Sequence, residues 1–167
     1  MGAILIAWNL FQLRIESSDI LLFIFLIAGA CFSQIFKVEG TTDRSHYAIS
    51  FVFYAFAFMR MGVPATLLVI ILSNIAEWLW HRPPWFIAFF NVCCYVIAIQ
   101  ATSLVYTLLN PSGDMQTWGS VVAILVAFLI YNLVNHLMVG IIIWLARGET
   151  FSKSGMFDWL PLTVDLT

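Results

Sequence analysis

The chain has 167 residues, of which 62% are hydrophobic, 16% are aromatic and only 10% are charged. A soluble domain is roughly 45–50% apolar and about 25% charged, and so few polar residues could not cover its surface. With a net charge of −2 and no basic patch, the composition excludes a soluble enzyme, a nucleic-acid-binding protein and a disordered tail. It predicts an all-α integral membrane protein, a polytopic bundle of four to five membrane helices.

The apolar runs predict three regions along the chain. Residues 1–18 form an N-terminal apolar segment; its residues 1–13 are too short to span a bilayer alone, so the segment is either a partial helix or an interfacial one. Residues 19–147 hold the transmembrane bundle. Residues 148–167 form an amphipathic C-terminal tail with no room for another span.

The first half of the bundle contains one clear interruption. Ile20–Phe36 carries no charge and is long enough for a first span, because about 20 apolar residues cross the hydrocarbon core. The following apolar stretch is too long for one helix and contains Gly62 two residues before a proline. Since glycine and proline interrupt helices, we predict a short helix over Tyr47–Met59 and a full one over Pro64–Trp80.

The sequence of the second half of the bundle predicts two further membrane-spanning helices. A polar turn at His81–Pro84 precedes a helix over Trp85–Leu109. A loop at Asn110–Asp114 separates it from a helix over Thr117–Ala146, which is longer than a bilayer requires.

Basic residues in short loops indicate the orientation of a membrane protein. Two basic residues fall on one predicted side, Arg14 and Arg60, and five fall on the other, Lys37, Arg44, Arg82, Arg147 and Lys153. This distribution predicts a multi-pass membrane protein with its C-terminus in the cytoplasm.

Polar side chains inside spans require a specific explanation, because their burial in lipid is costly. Asn74, Glu77 and His81 share one face of the third predicted helix. Glu77 is either an interfacial carboxylate paired with Arg82 or His81, or a carboxylate that faces a ligand or titrates.

A second polar group lies further along the chain. Asn132, Asn135 and His136 cluster on the last predicted helix, and Asn91 lies on the helix before it. Such amides serve either as hydrogen bonds between helices or as the lining of a polar cavity for a small molecule. The candidate ligand-binding residues are therefore Asn74, Glu77, Asn91, Asn132, Asn135 and His136.

No cofactor is required by the sequence. His136 is a candidate axial ligand for a chlorin or haem, but a histidine beside asparagines is more often hydrogen-bonded. No zinc pair is predicted, because no second histidine follows at helical spacing. Gly119, Ala123 and Ala127 form a ridge of small residues that lets another helix approach closely, either within the chain or from a partner.

The order of several short segments resembles the multi-helix membrane input region found ahead of bacterial HD-GYP phosphohydrolase and GGDEF cyclase domains. The resemblance covers roughly residues 20–155, and its segments are Ser50–Phe53, Gly62–Pro64, Trp80–Trp85, Phe89–Asn91, Leu133–Asn135 and Arg147–Glu149. It implies a sensory module with a general likeness to the substrate-binding components of vitamin transporters.

This sequence departs from that family after Gly148. In the family, further membrane helices and a cytoplasmic catalytic domain follow, whereas this sequence ends at Thr167. We therefore expect no cyclic-dinucleotide activity in this chain, and we expect any sensing to act through a partner.

Two functional hypotheses follow from the sequence. In the first, the protein is a non-catalytic accessory or structural subunit of a larger membrane complex, in contact with lipids and other integral membrane proteins. In the second, it is a membrane sensor or small-molecule-binding module with a polar intramembrane pocket that signals through a partner. Enzyme motifs such as G-x-S-x-G, the P-loop and H-E-x-x-H are absent from the sequence, so we expect no enzyme.

Overall fold

A computed structural model describes residues 7–9, 11, 13, 15–36, 38–39, 46–47, 49–111, 113 and 117–147. The predicted tail over residues 148–167 lies outside these ranges. After a 3-10 turn at Ser17–Asp19 come α1 (Ile20–Ile35), β1 (Val38–Glu39), β2 (His46–Tyr47), α2 (Ser50–His81), α3 (Trp85–Leu109) and α4 (Trp118–Arg147).

Within the described ranges, four helical segments are long and apolar enough to cross a membrane, and they contain α1, α2, α3 and the part of α4 over Trp118–Ile142. This confirms the predicted all-α membrane bundle. The apolar runs of the sequence account for these helices, because a segment in lipid must satisfy its own backbone hydrogen bonds.

A short antiparallel pair of strands lies between α1 and α2. Val38 pairs with Tyr47, and Glu39 pairs with His46. The prediction that a helix begins at Tyr47 was therefore wrong. This residue pairs with β1, and α2 begins three residues later at Ser50.

The predicted interruption near residue 62 is confirmed. Gly62 has φ 78° and ψ −173°, a non-helical conformation inside α2. This region of backbone space is essentially restricted to glycine. The Thr66 hydroxyl donates to the Gly62 carbonyl oxygen at 2.9 Å, which satisfies a backbone acceptor at the start of the second part of the helix.

The two parts of α2 fold back on each other. The Tyr54 hydroxyl and the Ser73 hydroxyl are 2.7 Å apart, although 19 residues separate them. In a continuous helix with a rise of about 1.5 Å per residue, they would be about 28 Å apart. We therefore describe α2 as a helical hairpin, with arm 1 over residues 50–61 and arm 2 over residues 63–81.

Helix α1 packs against this hairpin, and contacts near both of its ends fix its direction. At the tip of the hairpin, Arg60 forms a 3.0 Å ion pair with Asp19, immediately before α1. At the other end, a ring nitrogen of His81 lies 3.0 Å from the carbonyl oxygen of Ile35. Helix α1 is therefore antiparallel to arm 1 and parallel to arm 2.

The chain divides into two compact units, residues 1–96 and residues 97–167. The core of the first unit includes Leu26, Ala30, Tyr54, Leu67 and Ile70, each at most 3% exposed. In the second unit, the side chains of Ala98, Ile99, Ala123 and Ala127 are buried. Many large apolar side chains on both units are exposed, as is expected for surfaces that face lipid.

Candidate functional site

A polar cluster joins α1 to both arms of the hairpin. Gln34, in the last turn of α1, is 1% exposed. Its Nε2 donates to the Glu77 carboxylate in arm 2 at 2.7 Å, and its Oε1 accepts from the Ser50 hydroxyl in arm 1 at 2.7 Å. One amide side chain thus connects three helical segments.

A second hydrogen bond of the cluster connects the two arms directly. The Ser73 hydroxyl donates to the Ile70 carbonyl oxygen at 3.0 Å, so its oxygen accepts the proton of the Tyr54 hydroxyl. Tyr54 is 1% exposed and Ser73 is fully buried. Because buried polar groups are costly unless they are paired, these bonds stabilise the folded-back form of α2.

Asn74 lies beside this cluster and has an incomplete set of hydrogen bonds. Its Nδ2 donates to the Ile70 carbonyl oxygen at 2.9 Å, and the residue is 2% exposed. Its Oδ1 is buried and has no hydrogen-bond partner among the residues that the structure describes. Glu77 follows three residues later on the same face of arm 2, where Cβ atoms are about 5–6 Å apart.

The sequence-predicted candidates divide between the two units. Asn74, Glu77 and Asn91 belong to the first unit, where Asn91 is partly exposed on α3. The hydrogen bonds of the cluster connect Glu77 to Gln34, while His81 contacts Ile35.

The remaining candidates belong to the second unit and lie on α4. Asn132 is buried, whereas Asn135 and His136 are partly exposed. The His136 Nδ1 lies 2.9 Å from the Asn132 carbonyl oxygen one turn earlier. Since a carbonyl oxygen only accepts, this contact places a proton on Nδ1. The ligand-binding role of the six candidates remains a prediction.

The ridge of small residues on α4 is only partly exposed. Ala123 is 1% exposed and Ala127 is fully buried, so neither contributes to the outer surface of the chain. Gly119 is exposed, and an added Cβ would meet only the Thr117 hydroxyl at 3.7 Å.

Sequence reasoning missed four members of the cluster, which are Gln34, Ser50, Tyr54 and Ser73. A signal was present at Gln34, the only amide in the first apolar run. An amide in a span indicates a hydrogen bond to another helix. The partners themselves depend on the fold-back of α2, which brings residues far apart in the sequence into contact.

The described residues contain no group of three or more His, Cys, Asp and Glu side chains that could hold a metal ion. The chemistry of the cluster is instead that of amides, hydroxyls and one carboxylate. Such groups bind by hydrogen bonding and by attraction of a single positive charge.

Comparisons with protein-family models, with curated proteins and with solved structures find no match to this chain. The resemblance to the membrane input region of signalling proteins therefore stays a prediction.

Proposed function

We propose that this integral membrane protein is a non-catalytic accessory subunit of a larger complex in the bacterial inner membrane, with its C-terminus in the cytoplasm. The observation that carries the proposal is the internal pairing of the polar cluster. Gln34 bonds to both Ser50 and Glu77, and Tyr54 bonds to Ser73. These side chains hold α1 and the hairpin together, which supports a structural role.

The outer face of α4 offers a surface for a partner helix in this proposal. Leu125, Leu129 and Leu133 are 66%, 45% and 54% exposed and follow each other at intervals of four residues. They therefore form one stripe along the helix. Exposed Gly119 lies at the start of the same helix, where a small residue lets another backbone approach closely. Lipids and other integral membrane proteins are the expected partners.

Native mass spectrometry of the chain, extracted from its own membrane in mild detergent, tests the accessory role. We expect stoichiometric complexes with other integral membrane proteins. A chain that is recovered alone or only as its own oligomer would contradict the proposal.

Paired variants test the partner surface. The double variant Leu125→Ala/Leu129→Ala should release the chain from its complex with little change in its melting temperature, because both side chains are exposed. The matched control is Leu21→Ala/Ile24→Ala, on exposed positions of α1, and it should remain bound. Equal retention of both variants would exclude the α4 stripe as the contact.

A second function is favoured by one observation, the buried Oδ1 of Asn74, for which the described part of the chain supplies no hydrogen-bond donor. Buried polar atoms of native proteins are nearly always hydrogen-bonded, to protein or to ordered water. In this alternative, the protein is a sensor or small-molecule-binding module that signals through a partner. Native mass spectra would then show a lone chain that carries a bound small molecule.

A further inference from the structure

The outer surface of arm 1 is a single short stripe that ends on a charge. Three residues of arm 1 are exposed, Val52, Phe56 and Arg60, and they follow each other at intervals of four residues. They therefore lie on one face of the helix. Their backbone positions span only about 12 Å, since a helix rises by about 1.5 Å per residue. The apolar part of this face is thus much shorter than the hydrocarbon core of a bilayer, which is about 30 Å thick.

Contacts with α1 show that arm 1 reaches from one end of the first unit to the other. Near its start, the Ser50 hydroxyl donates to Gln34 in the last turn of α1. Near its other end, Arg60 pairs with Asp19, immediately before α1. Arm 1 is about 18 Å long, and α1, with its 16 residues, is about 24 Å long. Both lengths are below the thickness of the hydrocarbon core.

A unit this short either leaves the Arg60 charge in hydrocarbon or draws the bilayer surface inwards. A charge inside the bilayer is costly, and a span that is too short is accommodated by thinning of the surrounding bilayer. The contacts at both ends keep the first unit from lengthening. Helices α3 and α4, with 25 and 30 residues, can instead adapt to a thinner bilayer by tilting. The first unit therefore limits the thickness of the bilayer around it.

We propose that the first unit binds a locally thinned bilayer, with lipids of short acyl chains against the stripe of Val52, Phe56 and Arg60. A protein helix along this stripe would bury the exposed Arg60 guanidinium, which is costly, whereas lipid headgroups and water can surround it. Lipid is therefore the occupant that this face fits. The inference goes beyond both candidate functions, since it depends only on helix lengths and on the position of one charge.

Thermal unfolding of the purified full chain in nanodiscs of defined lipids tests the proposal. Melting temperatures are compared in phosphatidylcholines with myristoleoyl, palmitoleoyl, oleoyl and eicosenoyl chains, in order of increasing length. We expect the highest melting temperature in one of the two shortest lipids. In the eicosenoyl lipid it should be lower by about 3–8 °C, because each ångström of mismatch adds a modest cost.

Variants at the charged end of the stripe locate the response. Arg60→Leu removes the charge and extends the apolar face, so the lipid that gives the highest melting temperature should be a longer one. Asp19→Asn is the matched control, because it weakens the same ion pair but keeps the Arg60 charge. It should lower the melting temperature equally in all four lipids. Phe56→Arg places a charge one turn deeper and should favour the shortest lipid, which keeps the test decisive if Arg60→Leu does not fold.

Two results would overturn the proposal. A melting temperature that does not change with chain length would mean that lipid does not cover the stripe, and would assign this face to a second copy or to another protein helix. A preference for short chains that is unchanged in both Arg60→Leu and Phe56→Arg would place its cause elsewhere in the chain. Since native mass spectrometry measures partners rather than bilayer thickness, the accessory role stands or fails separately.

Discussion

Gly29 allows close contact between α1 and arm 1. A Cβ built on Gly29 would lie 2.6 Å from Cζ and 2.8 Å from Cδ1 of the Phe53 ring, closer than carbon atoms pack. The same ring makes an edge-to-face contact with Phe25, with centroids 6.4 Å apart. The absence of a side chain at position 29 therefore allows the two helices to lie this close together.

We predict that Gly29→Ala destabilises the protein by about 1–3 kcal/mol, because the Phe53 ring must move out of its packed position. Thermal unfolding in nanodiscs measures the loss. Replacing the ring in the same chain, as in Gly29→Ala/Phe53→Leu, should recover part of the stability. If the two substitutions are simply additive, the collision with Phe53 is not the cause.

At the scale of elements, the hairpin of α2 depends on one backbone conformation. A Cβ added at Gly62 would meet only the Pro64 Cδ, at 4.0 Å, so space is not limiting. The φ of 78° and ψ of −173° instead make the position unfavourable for any residue with a side chain.

We predict that Gly62→Ala lowers stability by about 1–3 kcal/mol through backbone strain alone. The melting temperature of the variant in nanodiscs measures this cost. Gly119→Ala is the matched control, since Gly119 is helical and an added Cβ would make only an ordinary contact with the Thr117 hydroxyl, and it should show no loss. Equal melting temperatures for Gly62→Ala and the wild type would mean that the break in α2 does not require glycine.

The hairpin also shows which features the sequence could predict. The break was predictable because glycine and proline act through local backbone geometry. The bounds of α3 were predicted correctly, since its apolar run ends at polar turns on both sides. The Gln34–Glu77 bond was not predictable, because 43 residues separate the partners and only the folded packing brings them together. Tyr47 was misplaced because it pairs with Val38 in a two-residue strand, which the apolar run that follows it does not indicate.

At the scale of the whole molecule, the hairpin separates Arg60, which lies within α2, from Arg82, which directly follows α2. Arg60 lies at the tip beside Asp19, whereas Arg82 follows the opposite end of arm 2. In a straight α2, residue 60 would lie within the apolar part of the span. The fold-back instead places it at one end of the first unit, where its side chain is 61% exposed.

We predict that Arg60→Cys and Arg82→Cys react with a membrane-impermeant maleimide from opposite sides of the membrane. With Cys31, Cys93 and Cys94 replaced by alanine, Arg60→Cys should react from outside the cell and Arg82→Cys only from the cytoplasm. The loss of the exposed Arg60–Asp19 ion pair should cost less than about 1 kcal/mol. Labelling from the reversed sides would contradict the proposed orientation only, whereas labelling of both from one side would contradict the hairpin.

The break at Gly62 also determines whether α2 begins and ends at the same end of the first unit or at opposite ends. Because α2 returns after its tip, the chain leaves it at the end where it entered. Phe36 precedes the hairpin in the sequence and Trp80 lies near its end, yet the centroids of the two rings are only 6.4 Å apart. A straight helix would deliver the turn before α3 to the opposite compartment and invert the first part of α3. The fold-back at Gly62 thus places the turn that follows α2 at the same end of the first unit as the residues that precede α2.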